Sequence, residues 1–229
     1  MLTCIVITVQ RNHDYRSALT IWADTRAKRP LNPRAHQEFA LALYRGSRAA
    51  ASLAPFAEAI RLKPDYAPAH HNLASSLLAV GRLDEAAAHY ELALRLKPTL
   101  AEPHDMLANV LATQRRWTEA IAHYETALRL KPQLLEVHGH LANALMAVGR
   151  TTDSLPHYEI ALRHSPGDSV LHNNLGVALL RSDRFTEAAA QFETALRLQP
   201  DNKDAASNLA LTSSNLRAAP GASRPPNAK

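Results

Sequence analysis

A single cysteine, Cys4, allows no internal disulfide, so the order of this chain must come from packing alone. Glycine occurs only seven times in 229 residues and aromatics make up 5%, while alanine and leucine dominate. That balance favours helix over sheet. It also leaves no interleaved aromatic platform on which nucleic-acid bases could stack, so no nucleic acid is expected as a partner. Charge of one sign is missing too: 26 basic residues are interleaved with 21 acidic ones, for a net of +5. A solvated surface of mixed sign follows. No long apolar run is present, because the opening MLTCIVITV stops at Gln10 and Arg11, about half of the ~20 residues a spanning helix needs. A secretory signal with a basic start and a small-residue cleavage site is absent as well. There is no glycine-rich phosphate loop, nucleophile elbow or metal motif. No enzymatic activity, cofactor or metal is therefore expected.

Against these absences stands a strict period. Proline occurs at 30, 64, 98, 132, 166 and 200, each 34 residues after the last. A fixed period of this length means stacked units rather than one globular core. Within a unit Leu73, Ala74 and Leu77 make an apolar stripe at helical spacing, repeated as Leu107, Ala108, Leu111, as Leu141, Ala142, Leu145 and as Leu175, Gly176, Leu179. A turn marked by Gly81 or Gly149 leads to a second stripe, Ala86, Tyr90, Ala93 and Leu94. This stripe recurs as Ala120, Tyr124, Ala127, Leu128 and as Ala188, Phe192, Ala195, Leu196. The proline ends that second helix, since it has no N–H to donate and holds its predecessor extended. Each unit is thus an antiparallel helix pair that cannot bury its apolar faces alone, and neighbours must stack. Pro55 and Pro156 fall inside expected second helices, which marks the first and fourth units as the least regular.

These columns resemble the tetratricopeptide repeat (TPR) family. The resemblance implies an all-α fold, a right-handed TPR α-solenoid of antiparallel helix pairs, with five units at 33–66, 67–100, 101–134, 135–168 and 169–202. Residues 12–32 then read as a partial unit carrying a second helix, 203–217 as a capping helix and 218–229 as a disordered tail. Residues 1–11 read as an apolar N-terminal helix or the remnant of a membrane span.

Two periodic features have ordinary explanations. Glu91 and Arg95, with Glu125 and Arg129, Glu159 and Arg163, and Glu193 and Arg197, are spaced to pair along an exposed helix face. His36, His70, His104, His138 and His172 share one column, and His89, His123 and His157 another. Equivalent positions in successive helix pairs lie on the order of 10 Å apart, too far for one ion with bonds of ~2.1 Å. Packing at helix boundaries is the expected role of these histidines.

In TPR proteins the groove is lined mainly by first helices. Mapped by column, the groove-facing residues are Gln37, Tyr44, Arg45, His71, Asn72, Ser75, Asp105, Asn109, Asn143, Asn173, Asn174, Arg181 and Asn208. An amide both donates and accepts, so a series of asparagines can pair with the backbone of an extended peptide. The series is similar to the O-GlcNAc transferase type of superhelix, although Met106 and His140 interrupt the column held by Asn72, Asn174 and Asn208. The groove columns offer no lysine, so the carboxylate clamp of chaperone-binding TPR domains is not expected. The junction at Arg11, Asn12, Tyr15, Trp22, Asp24, Thr25 and Pro30 resembles bacterial membrane glycosyltransferases that end in TPRs. The expectation is a non-catalytic scaffold binding a protein or peptide in its groove. The alternative is a detached substrate-presenting module of a membrane glycosyltransferase. The chain would be cytoplasmic if complete, and would contact or face a membrane from outside the cytoplasm only as part of a larger protein.

Overall fold

The computed structural model describes residues 18–218, so the expectations for the apolar start, for Arg11, Asn12 and Tyr15, and for the tail lie outside the described residues. Every regular element described is a helix. The chain divides into two compact units after Arg115. The first holds α1 (residues 18–28), α2 (Pro33–Arg45), α3 (Ala49–Leu62), α4 (Ala67–Ala79), α5 (Leu83–Leu96) and α6 (Ala101–Thr113). The second holds α7 (Trp117–Leu130), α8 (Leu135–Ala147), α9 (Thr151–His164), α10 (Ser169–Arg181), α11 (Phe185–Leu198) and α12 (Lys203–Ala218). Among the described residues no helix is long and apolar enough to cross a membrane.

Within each unit consecutive helices pack in series. In the first, α2 lies on α3, α3 on α4, α4 on α5 and α5 on α6; in the second the order runs likewise from α7 to α12. The first helices of neighbouring pairs also touch, α2 with α4, α4 with α6, α8 with α10 and α10 with α12. Among the described residues the second helices have no such mutual contact. First helices therefore form the shorter arc of each unit, and their free sides make a continuous face. Lengths are regular, 13 residues for α4 and 14 for α5.

The interlock between layers is one of size. Phe56, Tyr90, Tyr124, Tyr158 and Phe192 each occupy the same position of a second helix and are all but fully buried. Small residues make room for them: Ala40, Ala74, Ala108 and Ala142 are also buried, and Gly176 stands in that column opposite Phe192. In the second unit Ala142, Leu155, Tyr158, Leu175, Leu179, Ala188 and Phe192 join one apolar cluster. Its transfer from water is the main stabilising term.

The turn inside each pair is one motif repeated. At Gly81 the backbone is left-handed, with φ 79°, and the Gly81 N–H donates to Leu78 O while Arg82 N–H donates to Leu77 O. This is the Schellman ending of a helix. Gly149 repeats it with φ 80°. The same left-handed step is taken at Ser47, Arg115 and Asp183, where no glycine signals it. A side chain in that conformation carries a steric penalty that glycine lacks. Ser47→Gly is expected to raise stability by about 0.5–1 kcal/mol, the strain relieved less the extra freedom of the unfolded chain; thermal unfolding measures it.

Two sequence expectations need adjustment. The Glu91–Arg95 type of pair is not formed among the described ion pairs. The arginine that closes the turn reaches forward instead in four of the five pairs: Arg82 grips Glu85 through both Nε and Nη2, at 2.6 Å each. Arg116 with Glu119 and Arg184 with Glu187 repeat this grip, and Arg150 with Asp153 keeps the register with a single contact. Two parallel N–H···O bonds match a planar guanidinium to a carboxylate better than a helix-face pair can. These pairs are exposed, so solvent screens them. The second adjustment concerns proline, since α3 continues through Pro55 and α9 through Pro156. The carbonyls that lose a partner belong to Ala51 and Thr152, both exposed residues that water can serve.

An amide-lined face as the candidate functional site

In the first unit the expected groove residues Gln37, Tyr44, Arg45, His71, Asn72, Ser75, Asp105 and Asn109 lie on α2, α4 and α6. Gln37 and Asp105 are buried, which removes them from simple surface contact. Tyr44, His71, Asn72, Ser75 and Asn109 are half-buried, and Arg45 is exposed. Ser75 Oγ donates to the His71 carbonyl at 3.1 Å and lies 3.0 Å from the Tyr90 hydroxyl. The His71 ring sits against Tyr90 with centroids 5.6 Å apart. Burial lowers the pKa of His71, with Glu102 pulling the other way. Burial pushes the Tyr90 phenol up to about 12, with Ser75 opposing. Both are therefore neutral near pH 7. Asn109 Nδ2 donates to Asp105 Oδ1 at 3.4 Å.

The second unit gathers its predicted residues more closely. Tyr158 Oη donates to Asn143 Oδ1 at 2.7 Å, and Asn174 Nδ2 donates to the same oxygen at 3.0 Å. Asn173 Nδ2 reaches Asn174 Oδ1 at 3.4 Å, and Asn208 Nδ2 reaches Asn173 Oδ1 at 3.0 Å. One chain of amides thus runs from α8 across α10 to α12, anchored on a buried phenol. Each link spends an oxygen of one asparagine on the nitrogen of the next. Among the described residues no partner takes Asn143 Nδ2 or Asn208 Oδ1, so a donor and an acceptor remain available.

Beside this chain lies an open pocket of about 280 Å³ between α8 and α10. Asn143, Asn174 and Arg181 line it together with Met146, Ala147, Tyr158 and Val177. Arg181 is exposed and has no ion-pair partner among the described residues. Burial pushes the Tyr158 phenol up, while Arg181 pulls it down. Sequence reasoning passed over Tyr158, Met146 and Val177. The signal was available for Tyr158, because a buried phenol must find a hydrogen-bond partner. A second, shallower hollow of about 660 Å³ lies at Ser165, Asp168, Ser169 and Leu198. Its polar groups are already engaged, since Asp168 caps α10 and Ser169 Oγ donates to the Ala195 carbonyl.

The histidine columns hold helix boundaries. His36, His70, His104 and His172 each place Nε2 on the carbonyl of the proline six residues earlier, at 2.8–3.2 Å. Among the described residues no group of three or more His, Cys, Asp or Glu is placed to hold a metal ion.

A family model described as tetratricopeptide repeat matches residues 7–67, 38–101, 71–134, 140–203 and 173–213. Among solved structures the chain is similar to YrrB, described as a TPR protein with an unusual peptide-binding site. The two share 20% identity over 81% of this chain and 96% of that one, with a TM-score of 0.74. MamA matches at 16% identity over 69% and 92% of the two chains, with a TM-score of 0.64. PilF of Pseudomonas aeruginosa matches at 18% identity over 82% and 92%, with a TM-score of 0.61. No curated protein matches the chain.

Proposed function

From the premise that this chain belongs to the tetratricopeptide repeat family, we propose that it is a scaffold whose second unit binds an extended peptide across α8 and α10, with an acidic side chain of that peptide at Arg181. The observation that carries this reading is the pocket in which Asn143, Asn174 and Arg181 stand over Met146, Ala147 and Val177. An apolar floor with a few convergent polar groups is the usual composition of a recognition site. The free amide donor of Asn143 suits a backbone carbonyl, and the unpaired guanidinium suits a carboxylate. Nothing in the arrangement makes or breaks a bond; its work is positioning.

The test uses fluorescent decapeptides blocked at both ends, identical except for Glu or Gln at one central position. The Glu peptides should bind the full chain more tightly, and Arg181→Ala should remove that preference, a change of about three- to tenfold. Asn143→Ala with Asn174→Ala should weaken both peptide series. Binding that is indifferent to all three substitutions would place recognition elsewhere.

A further inference from the structure

Two histidine pairs at equivalent places in the two units have a geometry that the groove does not explain. His70 of α4 and His89 of α5 face each other with Nδ1 atoms 3.0 Å apart. His138 of α8 and His157 of α9 repeat the arrangement at 2.8 Å. Ring centroids are 5.3 and 5.0 Å apart, with interplanar angles of 31° and 25°. Rings so disposed meet nitrogen to nitrogen, edge on, as one N–H···N bond requires. Two lone pairs converging on a metal would need a different approach, with the rings angled toward a common point. For the first pair the proton can be assigned. His70 Nε2 lies 3.0 Å from the Pro64 carbonyl, which only accepts, so Nε2 holds the proton. In its neutral form His70 Nδ1 is then bare, and His89 must donate from Nδ1.

We propose that these bridges are proton-sensitive clasps, each closing a helix pair when it holds one shared Nδ1 proton and opening when acid adds a second. A doubly protonated pair would set two N–H groups and two like charges face to face at about 3 Å, where each repels the other. The charged group facing His89 is Glu85, on the same helix and held by Arg82. Around the second bridge Glu125 from α7 and Asp153 from α9 favour a charged His157, whereas Arg150 opposes it and Arg163 opposes a charged His138. Burial outweighs these, and His89, His138 and His157 all have lowered pKa values. The sign follows. The unfolded chain takes protons first, at about pH 6.5, so the clasp contributes its full stability above that pH and loses it as pH falls further.

The chain carries its own comparison. At the equivalent place in α10 and α11, His172 Nδ1 meets Gln191 Oε1 at 2.7 Å, with Nε2 on the Pro166 carbonyl as before. A glutamine amide can turn either its oxygen or its nitrogen to the ring, and so serves the neutral and the charged imidazole alike. His89→Gln with His157→Gln should therefore keep the fold and remove the pH sensitivity.

The experiment is denaturant unfolding of the full chain and of the double variant from pH 8 to pH 5 at constant ionic strength. Between pH 7 and pH 5 the unfolding constant of the wild type should rise over that of the variant by about three- to tenfold per bridge. Parallel pH profiles would overturn the proposal. Side-chain NMR of the wild type gives an answer even if the variant folds poorly. Each bridge should then titrate in two separated steps, the second below pH 6.5; four independent titrations near pH 6.5 would overturn it equally.

Discussion

Phe192→Ala is expected to cost about 3–5 kcal/mol, the loss typical of removing a wholly buried aromatic side chain and leaving a cavity behind. The ring has no accessible surface and belongs to the cluster that joins α10 to α11 in the second unit. Gly176, which faces the ring directly, has no side chain with which to refill the space. In a stack where each pair contacts only its neighbours, such a loss falls first on the local interface. Far-ultraviolet circular dichroism should show unfolding at lower temperature and with less cooperativity. Hydrogen exchange should locate the early opening in α11 and α12, while α4 and α5 stay protected. Equal loss of protection in both units would contradict this account.

Gly176→Ala is the converse experiment at the same contact. Replacing a helical glycine by alanine ordinarily gains almost 1 kcal/mol. Here the added Cβ would lie 2.5 Å from one atom of the Phe192 ring and under 3.0 Å from two more. That ring is fixed on all sides, so overpacking of about 1–3 kcal/mol opposes the gain. We expect a net loss of up to about 2 kcal/mol by denaturant unfolding. Phe192→Leu in the same chain should recover part of it, because the shorter side chain withdraws from the new methyl group. A stabilised Gly176→Ala protein would mean that the ring moves freely, and would weaken the cavity argument as well.

Both variants test a relation that was only half visible in the sequence. Alternation of small and aromatic residues at the 34-residue period announced that two helices interlock. It did not say that glycine stands opposite Phe192, when alanine holds the same column beside Tyr90 and Tyr158. The turns show the same division. Gly81 and Gly149 marked turns in the sequence and are left-handed in the structure, whereas Ser47, Arg115 and Asp183 take the same step with no glycine at the position. Their conformation is imposed by the packing of helices on either side. The ion pairs escaped for a related reason: Arg82 lies outside the helix it serves, so helical spacing could not connect it to Glu85.

For the candidate site the expectation set the asparagines in a groove lined by first helices; the bonds they make to one another were not foreseeable. Asn143 and Asn174 lie 31 positions apart, and Asn208 and Asn173 lie 35 apart. Whether such residues face a ligand or each other depends on how one pair is rotated against the next.

What the sequence determined by itself is the period, the helical class and the identity of the buried columns, because these depend on local propensity and on spacing along one chain. The tertiary structure alone decided which side chains meet across helices: the Nδ1 contact of His70 and His89, the amide chain from Asn143 to Asn208, and Arg181 over an apolar floor. Those contacts depend on distances between helix axes and on rotation about them. A repeat pattern does not encode either quantity, since the same columns are compatible with several registers until close packing selects one.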